Sequence, residues 1–165
     1  MFGLALAAVA CSGRNAVQNE EAPVQPVSFV KMNDAGVGPQ LLSGFYATEA
    51  GAWRWTSGKF AVLLATPPSA AQNGGTVTFS LVVPEVVTQR LGTITLTASV
   101  NGRILKSSQF AAAGPETFTA DVPPDLLATN SVRVDFALDK DLAPKSVGDT
   151  RELGIIAYSV GLAGK

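Results

Sequence analysis

The sequence predicts an all-β fold, a two-sheet antiparallel β-sandwich over residues 27–165. Three segments alternate apolar and polar residues with a period of two, and Gly, Pro and Asn-Gly turn signals separate them. Such alternation is typical of antiparallel strands with one buried and one wet face. Short strands at this spacing indicate two packed sheets. The three segments are 76–83, 93–100 and 131–138.

The remaining elements follow from simpler signals. Segments 59–65 and 153–160 are almost continuously apolar, so we expect both strands at the middle of the sandwich. The helix-like segments are short, such as 84–90 and 125–128, and both of these are interpreted as connections.

A hairpin is predicted at Asn101-Gly102, and its register has two alternatives. A two-residue turn places Leu105 on the core face. A three-residue loop instead places Ile104 and Phe110 inside and Leu105 outside, because a one-residue slip exchanges the two faces of a strand. We favour the three-residue loop, since it buries the larger residues.

The composition excludes several classes of function. The 165 residues include no histidine and one cysteine, and 12 Lys+Arg stand against 13 Asp+Glu. This excludes His-based acid/base catalysis, Cys-His catalysis, zinc fingers and an internal disulfide framework. The balanced charge offers no footprint for nucleic acid. No phosphate-cradling glycine loop occurs, so neither a cofactor nor a catalytic metal is expected.

The N-terminus indicates export and lipid anchoring. Residues 2–10 form an apolar run, too short to span a membrane, that ends in small residues directly before Cys11. This arrangement resembles the bacterial lipobox, which implies a signal peptide over 1–11 and fatty acyl chains such as palmitate on Cys11. Ser12, rather than Asp, implies an outer-membrane location. A buried, inert Cys11 is the alternative.

Residues 12–26 are predicted to form a flexible tether, because Asn, Gln, Glu and Pro dominate and apolar periodicity is weak. The predicted organisation is therefore a signal peptide over 1–11, a tether over 12–26 and a β-sandwich over 27–165. The membrane, reached through the lipid anchor, is the first expected partner.

The most unusual local sequence is 44–56, which holds both tryptophans and one of the two tyrosines. In a strand, Trp53 and Trp55 share a face and Arg54 points to the other. A charged side chain inside a compact β domain is usually paired. Three carboxylates are candidate partners for Arg54: Glu49, Asp149 and Glu152.

These residues belong to a recognisable pattern. G-F-Y-x-x-E and W-R-W-T near the start, the Asn-Gly hairpin and D-x-R-x-L-G-I before the last strand resemble β-sandwich accessory domains of bacterial glycosyltransferases and related envelope proteins. Those domains are similar in shape to carbohydrate-binding modules and jelly-roll lectins. The resemblance spans about 42–162 and implies a jelly-roll-like sandwich. It also implies a charged cluster joining the first strand to the last: Glu49, Arg54, Asp149 and Arg151.

Two interpretations of this constellation remain open. In the first, the aromatic side chains stack on sugar rings and the charged side chains hydrogen-bond the hydroxyls. In the second, the aromatic side chains belong to the core and the charges form a structural ion-pair network. The candidate ligand-binding residues are Tyr46, Glu49, Trp53, Arg54, Trp55, Asp149 and Arg151.

The leading hypothesis for function is a non-enzymatic, membrane-tethered envelope lipoprotein whose sandwich binds glycan or surface polysaccharide. The first alternative is a structural or protein-interaction lipoprotein that docks onto an envelope assembly. The second is a glycan-cleaving enzyme that uses Glu49 with Asp149, because a pair of carboxylates can cleave glycosides without histidine.

Overall fold

A computed structural model describes residues 25–165 of the chain. The predicted signal peptide with Cys11, and residues 12–24 of the predicted tether, lie outside the described residues. Within 25–165, no helix has both the length and the apolar character needed to cross a membrane.

The described chain is built almost entirely from strands. The two α-helices are α1 (Ala70–Asn73) and α2 (Glu85–Leu91), and single 3-10 helices lie at Ala35–Gln40 and Pro124–Leu126. The strands are β1 (Phe29–Lys31), β2 (Leu41–Glu49), β3 (Trp53–Ala65), β4 (Gly75–Val83), β5 (Ile94–Val100), β6 (Arg103–Phe110), β7 (Gly114–Val122), β8 (Ser131–Leu138) and β9 (Ile156–Gly164).

The strands form two antiparallel layers that share β3. The order is β6-β5-β8-β3-β9-β4-β7, with β2 added to β3 and β1 added to β9. Residues 59–65 of β3 pair with β8, whereas Arg54 and Trp55 pair with β9. At the far side, the Lys106 ammonium of β6 lies 5.7 Å from the ring centroid of Phe118 on β7, so the layers almost close on each other. The predicted antiparallel β-sandwich is confirmed.

Four buried phenylalanine rings from four strands form the centre of the core. Phe136 on β8 stacks on Phe60 of β3, with ring centroids 5.1 Å apart and 14° between the planes. The same ring lies 5.1 Å from Phe79 of β4 and 6.2 Å from Phe118 of β7. Phe136 therefore joins both layers through aromatic contacts, which add to the free energy gained from burial.

The three alternating segments are strands with the predicted faces. Strands β4, β5 and β8 each bury every second residue, and β3 and β9 lie at the middle of the strand order, as predicted from their apolar sequences. The two short helical connections are also confirmed, by α2 and by the 3-10 helix Pro124–Leu126. The alternating buried residues are Val77, Phe79, Leu81, Val83, Ile94, Leu96, Ala98, Val100, Val132, Val134, Phe136 and Leu138.

The predicted hairpin exists, but the favoured three-residue loop is wrong. Val100 pairs with Arg103, so the turn contains only Asn101 and Gly102. Both have positive φ, 51° and 79°, as the two-residue turn requires. Ile104, expected inside, is 66% exposed.

A β-bulge explains why Phe110 is buried, as the three-residue loop predicted, although the turn has only two residues. Leu105 is the extra residue between the pairs made by Ala98 and Ser99, and it packs against the core. Because one extra residue shifts the alternation of β6, Phe110 still reaches the core and is 7% exposed. The bulge buries Leu105 and Phe110 together, which neither uninterrupted register does.

Candidate functional site

The seven predicted site residues come from three segments that meet at one end of the sandwich. β2 supplies Tyr46 and Glu49, and the start of β3 supplies residues 53–55. Asp149 and Arg151 lie in the segment between β8 and β9. The segments converge because β2 and β3 form a hairpin in which Glu49 pairs with Trp53, while Arg54 pairs with β9.

Arg151 joins the two predicted carboxylates. Its Nη1 donates to Glu49 Oε1 at 2.8 Å, and its Nη2 donates to Asp149 Oδ2 at 2.8 Å. The Arg151 backbone N–H also donates to Asp149 Oδ1 at 2.8 Å. All three side chains are about one third exposed, at 30%, 35% and 28% for Arg151, Glu49 and Asp149. The Arg151 guanidinium therefore forms ion pairs with two carboxylates, those of Glu49 and Asp149.

The Tyr46 ring packs against the guanidinium of this ion-pair cluster. The guanidinium carbon of Arg151 lies 5.1 Å from the Tyr46 ring centroid, within the range of a cation–π contact. The Tyr46 hydroxyl donates to the Glu152 backbone carbonyl at 2.7 Å. Burial, followed by the negative charge of Glu152, raises the pKa of the Tyr46 hydroxyl above its ordinary value. One ring face and the hydroxyl of Tyr46 are therefore occupied by the protein itself.

Arg54 has different partners from those predicted. Its Nε donates to the Met32 carbonyl at 2.9 Å, and its Nη1 donates to the Tyr46 carbonyl at 2.9 Å. Within residues 25–165 it forms no ion pair with any of the three predicted carboxylates. The reason is geometric: Arg54 pairs with β2 and β9 in the sheet, and its side chain reaches the carbonyl of Met32, directly after β1, and that of Tyr46 in β2. Its role in the described chain is to tie these strands together.

The two carboxylates of the cluster are poorly suited to glycan cleavage. Hydrogen bonds from the side chain and the backbone of Arg151 lower the pKa of Asp149 to about 2. A carboxyl group with this pKa is ionised near neutral pH and cannot act as a general acid. Arg151 also neutralises Glu49, so this pair lacks the free acid and the free base that the enzymatic alternative needs.

Trp53 and Trp55 form an edge-to-face pair on β3, on the face opposite to Arg54. Their ring centroids lie 6.4 Å apart, with 81° between the planes. Both side chains are half-buried. Trp55 packs against the hydrophobic core, whereas Trp53 is not among the side chains that do so. Both rings are therefore partly exposed, and Trp55 is in addition anchored by contact with the core.

The tryptophans lie on the outer face of the layer that contains β9 and β4. Trp55 pairs with Ile156, and Ile156 pairs with Val82. The neighbours of Ile156 and Val82 in their strands, Ala157 and Leu81, are both buried. The backbone register therefore places Trp55, Ile156 and Val82 on the face opposite to Ala157 and Leu81, although the Trp55 side chain still contacts buried residues of the core.

A β-bulge adds a tyrosine to this outer face. Leu81 pairs with Ala157 and Ser80 with Ser159, so Tyr158 is an extra residue of β9. Its side chain is 39% exposed. Bulges commonly redirect a side chain, and here the result is an exposed aromatic ring two residues beyond Ile156.

Two more residues of this face come from β1. Phe29 pairs with Gly161 and is 52% exposed, and Lys31 pairs with Ser159 and is exposed. Sequence reasoning singled out none of Phe29, Lys31 and Tyr158 as site residues. A three-residue strand is too short for its alternation to be recognised, and the apolar run containing Tyr158 indicates a buried strand. Alternation around Val30, which is fully buried, was the one available signal.

A second pair of carboxylates lies near Gly58. Glu152 accepts a hydrogen bond from the Gly58 N–H at 2.8 Å, and a Cβ at position 58 would collide with the Asp141 carboxylate. Burial, followed by the charge of Glu152, raises the pKa of Asp141. In the described part of the chain, no three His, Cys, Asp or Glu side chains gather in a way that could hold a metal ion.

Comparison with known proteins gives similarity in structure only. No family model and no curated protein matches the sequence. A carbohydrate-binding module of Clostridium stercorarium, CsCBM6-3 in complex with cellobiose, is 9% identical with a TM-score of 0.43, over 84% of this chain and 95% of that chain. A protein described as "CBM4 structure and function" is 13% identical with a TM-score of 0.38, over 83% and 85% of the two chains.

A third similar structure is the CBM51-2 domain, in complex with GlcNAc, and INT domains from Clostridium perfringens ZmpB. It is 11% identical with a TM-score of 0.39, and the match covers 85% of this chain but only 28% of that chain. By their descriptions, these three solved structures are carbohydrate-binding modules or chains that contain one.

Proposed function

We propose that this protein is a membrane-tethered, non-catalytic β-sandwich that binds glycans on the outer face carrying Trp53 and Trp55. The observation that carries the proposal is the edge-to-face tryptophan pair at the surface of β3. The face of an aromatic ring is a favourable surface for the apolar C–H face of a sugar ring.

The arrangement of the two rings suits this role. Trp55 is held by the core and contacts Trp53 at 81°. A ring fixed in this way loses little conformational freedom when a ligand stacks on it, which favours affinity. Tyr158, which is 39% exposed, adds to this face a ring with a hydroxyl that can donate to or accept from a sugar hydroxyl.

The Arg151 cluster has a different place in this proposal. Glu49 and Asp149 are bound by Arg151, and Tyr46 lies against the same guanidinium. These four residues hold the end of β2 against the segment before β9, which fixes the start of β3 and with it the tryptophans. We therefore assign the cluster to positioning and the tryptophan face to binding.

A glycan array with purified domain tests the binding proposal. The wild type should bind at least one glycan, and Trp53→Ala should lose most of that signal. Ile104→Ala is the matched control, because Ile104 is an exposed apolar residue on β6 of the other layer. No binding across a broad array, or binding that Trp53→Ala leaves unchanged, contradicts the proposal and favours the protein-interaction alternative.

The tether is tested separately, through Cys11. We propose that Cys11 carries the acyl chains and that the protein lies at the outer membrane. Mass spectrometry of membrane-extracted protein should find acylated Cys11, and Cys11→Ser should move the domain to the soluble fraction. An unmodified thiol in membrane-extracted wild type contradicts lipid anchoring.

A further inference from the structure

The outer face of the β9 layer continues beyond the tryptophans to a groove. The groove has a volume of about 550 Å³ and is lined by Ser28, Phe29, Pro67, Thr78 and residues 161–164, none of which is charged. Phe29 covers Gly161: a Cβ on this glycine would lie 2.6 Å from Phe29 Cδ2. The glycine thus lets the Phe29 ring lie close to the sheet while the ring stays 52% exposed.

The strand register places the groove and the tryptophans on one face. Val82 of β4 lies in the same row as Trp55, and Thr78 of β4 lies in the same row as Phe29. The two rows are four positions apart along β4, which corresponds to about 13 Å at about 3.3 Å per residue. A single sugar ring cannot reach from one aromatic side chain to the other.

The row between the two aromatic ends carries a positive charge. Lys31, Ser159 and Ser80 are in register with one another across β1, β9 and β4. Within residues 25–165, Lys31 forms no ion pair, whereas Asp121 of the neighbouring strand β7 pairs with Lys165 at 2.9 Å. The middle of the face thus presents one cation and two hydroxyl groups.

We propose that this face binds an extended acidic glycan, whose chain runs from Trp53 and Trp55 to Phe29 with a carboxylated sugar above Lys31. This inference rests on the proposed function, because the tryptophans form one end of the binding surface. The two aromatic ends provide stacking, and the charge of Lys31 complements a uronate carboxylate. The hydroxyls of Ser80 and Ser159 satisfy polar groups of the same sugar unit.

The test uses uronate-containing oligosaccharides as probes: disaccharides, tetrasaccharides and hexasaccharides of galacturonate, glucuronate and mannuronate. Each is compared with its carboxyl-reduced counterpart by isothermal titration calorimetry. Affinity should rise from disaccharide to hexasaccharide, and the carboxyl-reduced hexasaccharide should bind more weakly. Raising the salt concentration should weaken the acidic probe more than the reduced one, because the ion pair is exposed.

Variants separate the two ends of the face. Phe29→Ala should weaken hexasaccharide binding about fivefold and leave the disaccharide unaffected, because one aromatic contact contributes about 1 kcal/mol. Phe29→Leu, which keeps an apolar side chain, should show the same loss if Phe29→Ala fails to fold. Lys31→Gln should remove the preference for the acidic probe, and Lys59→Gln, an exposed lysine on β3, is the matched control.

Two outcomes overturn this inference without touching the proposed function. One is glycan binding that depends on Trp53 but has the same affinity for short and long probes. In this outcome Phe29→Ala also binds with the affinity of the wild type. The other is equal affinity for acidic and carboxyl-reduced probes. By contrast, the proposed function itself is contradicted if the wild type binds no glycan, or if Trp53→Ala binds glycans as the wild type does.

Discussion

Arg151 and Glu49 are 102 positions apart in the sequence, yet the Arg151 Nη1 donates to Glu49 Oε1 at 2.8 Å. This contact joins the end of β2 to the segment that leads into β9. Tyr46 on one side of the guanidinium and Asp149 on the other complete the arrangement. The pair therefore links the beginning and the end of the sandwich at the point where β3 passes from one layer to the other.

Removing this link should destabilise the domain. Arg151→Ala leaves Glu49 and Asp149 without their shared cation, and it also removes the contact with Tyr46. We expect the free energy of unfolding to fall by about 1–2 kcal/mol, measured by urea denaturation, because the charged hydrogen bonds are partly exposed. Arg151→Lys should lose less, because it keeps the charge but not the two-sided geometry. Equal stability of Arg151→Ala and the wild type contradicts this role.

The cluster should also make stability depend on acid pH. The pKa of Asp149 in the fold is about 2, below its ordinary 3.8, because Arg151 binds the ionised form. The resulting stability is complete above about pH 4 and is lost as the pH falls toward about 2. Asp149→Asn should lose less stability than the wild type across that interval, measured as the thermal midpoint against pH. A parallel pH dependence of the two proteins contradicts the assignment.

Asp141 should behave in the opposite way. Burial and the charge of Glu152 raise its pKa, so the fold favours the protonated form. Stability that is present at low pH is lost as the pH rises through the raised pKa. Asp141→Asn, which cannot ionise, should therefore increase the midpoint of urea denaturation at pH 7 and leave it unchanged at pH 3. A decrease at pH 7 shows instead that the Asp141 carboxylate is stabilising.

The aromatic core gives a prediction about packing. Phe136 contacts Phe60, Phe79 and Phe118, and its side chain is buried. Phe136→Ala should cost about 3–5 kcal/mol of unfolding free energy, because it leaves a cavity between the two layers. Ile104→Ala should change the stability by less than about 0.5 kcal/mol, because Ile104 is 66% exposed. The two-residue turn at Asn101 and Gly102 is what places Ile104 at the surface. A loss of stability for Ile104→Ala as large as that for Phe136→Ala would therefore contradict this turn.

The candidate site could be predicted from the sequence only in part. The sequence marks Trp53 and Trp55 as neighbours on one face of a strand, and the structure places them there. It groups Arg54 with the carboxylates, because a charge in a β domain usually pairs with a charge. The nearest acceptors of Arg54 are instead the carbonyls of Met32 and Tyr46, whose positions depend on how three strands meet.

The sequence by itself determined β4, β5 and β8 with their buried faces, because alternation with a period of two is a local property of the chain. Only the tertiary structure decided which strands are neighbours, where the bulges at Leu105 and Tyr158 lie and which exposed residues share the face with the tryptophans. Phe29 and Trp55 reach the same face through their pairing with β9. Such pairing is set by packing and hydrogen bonding between distant segments, which no local pattern records.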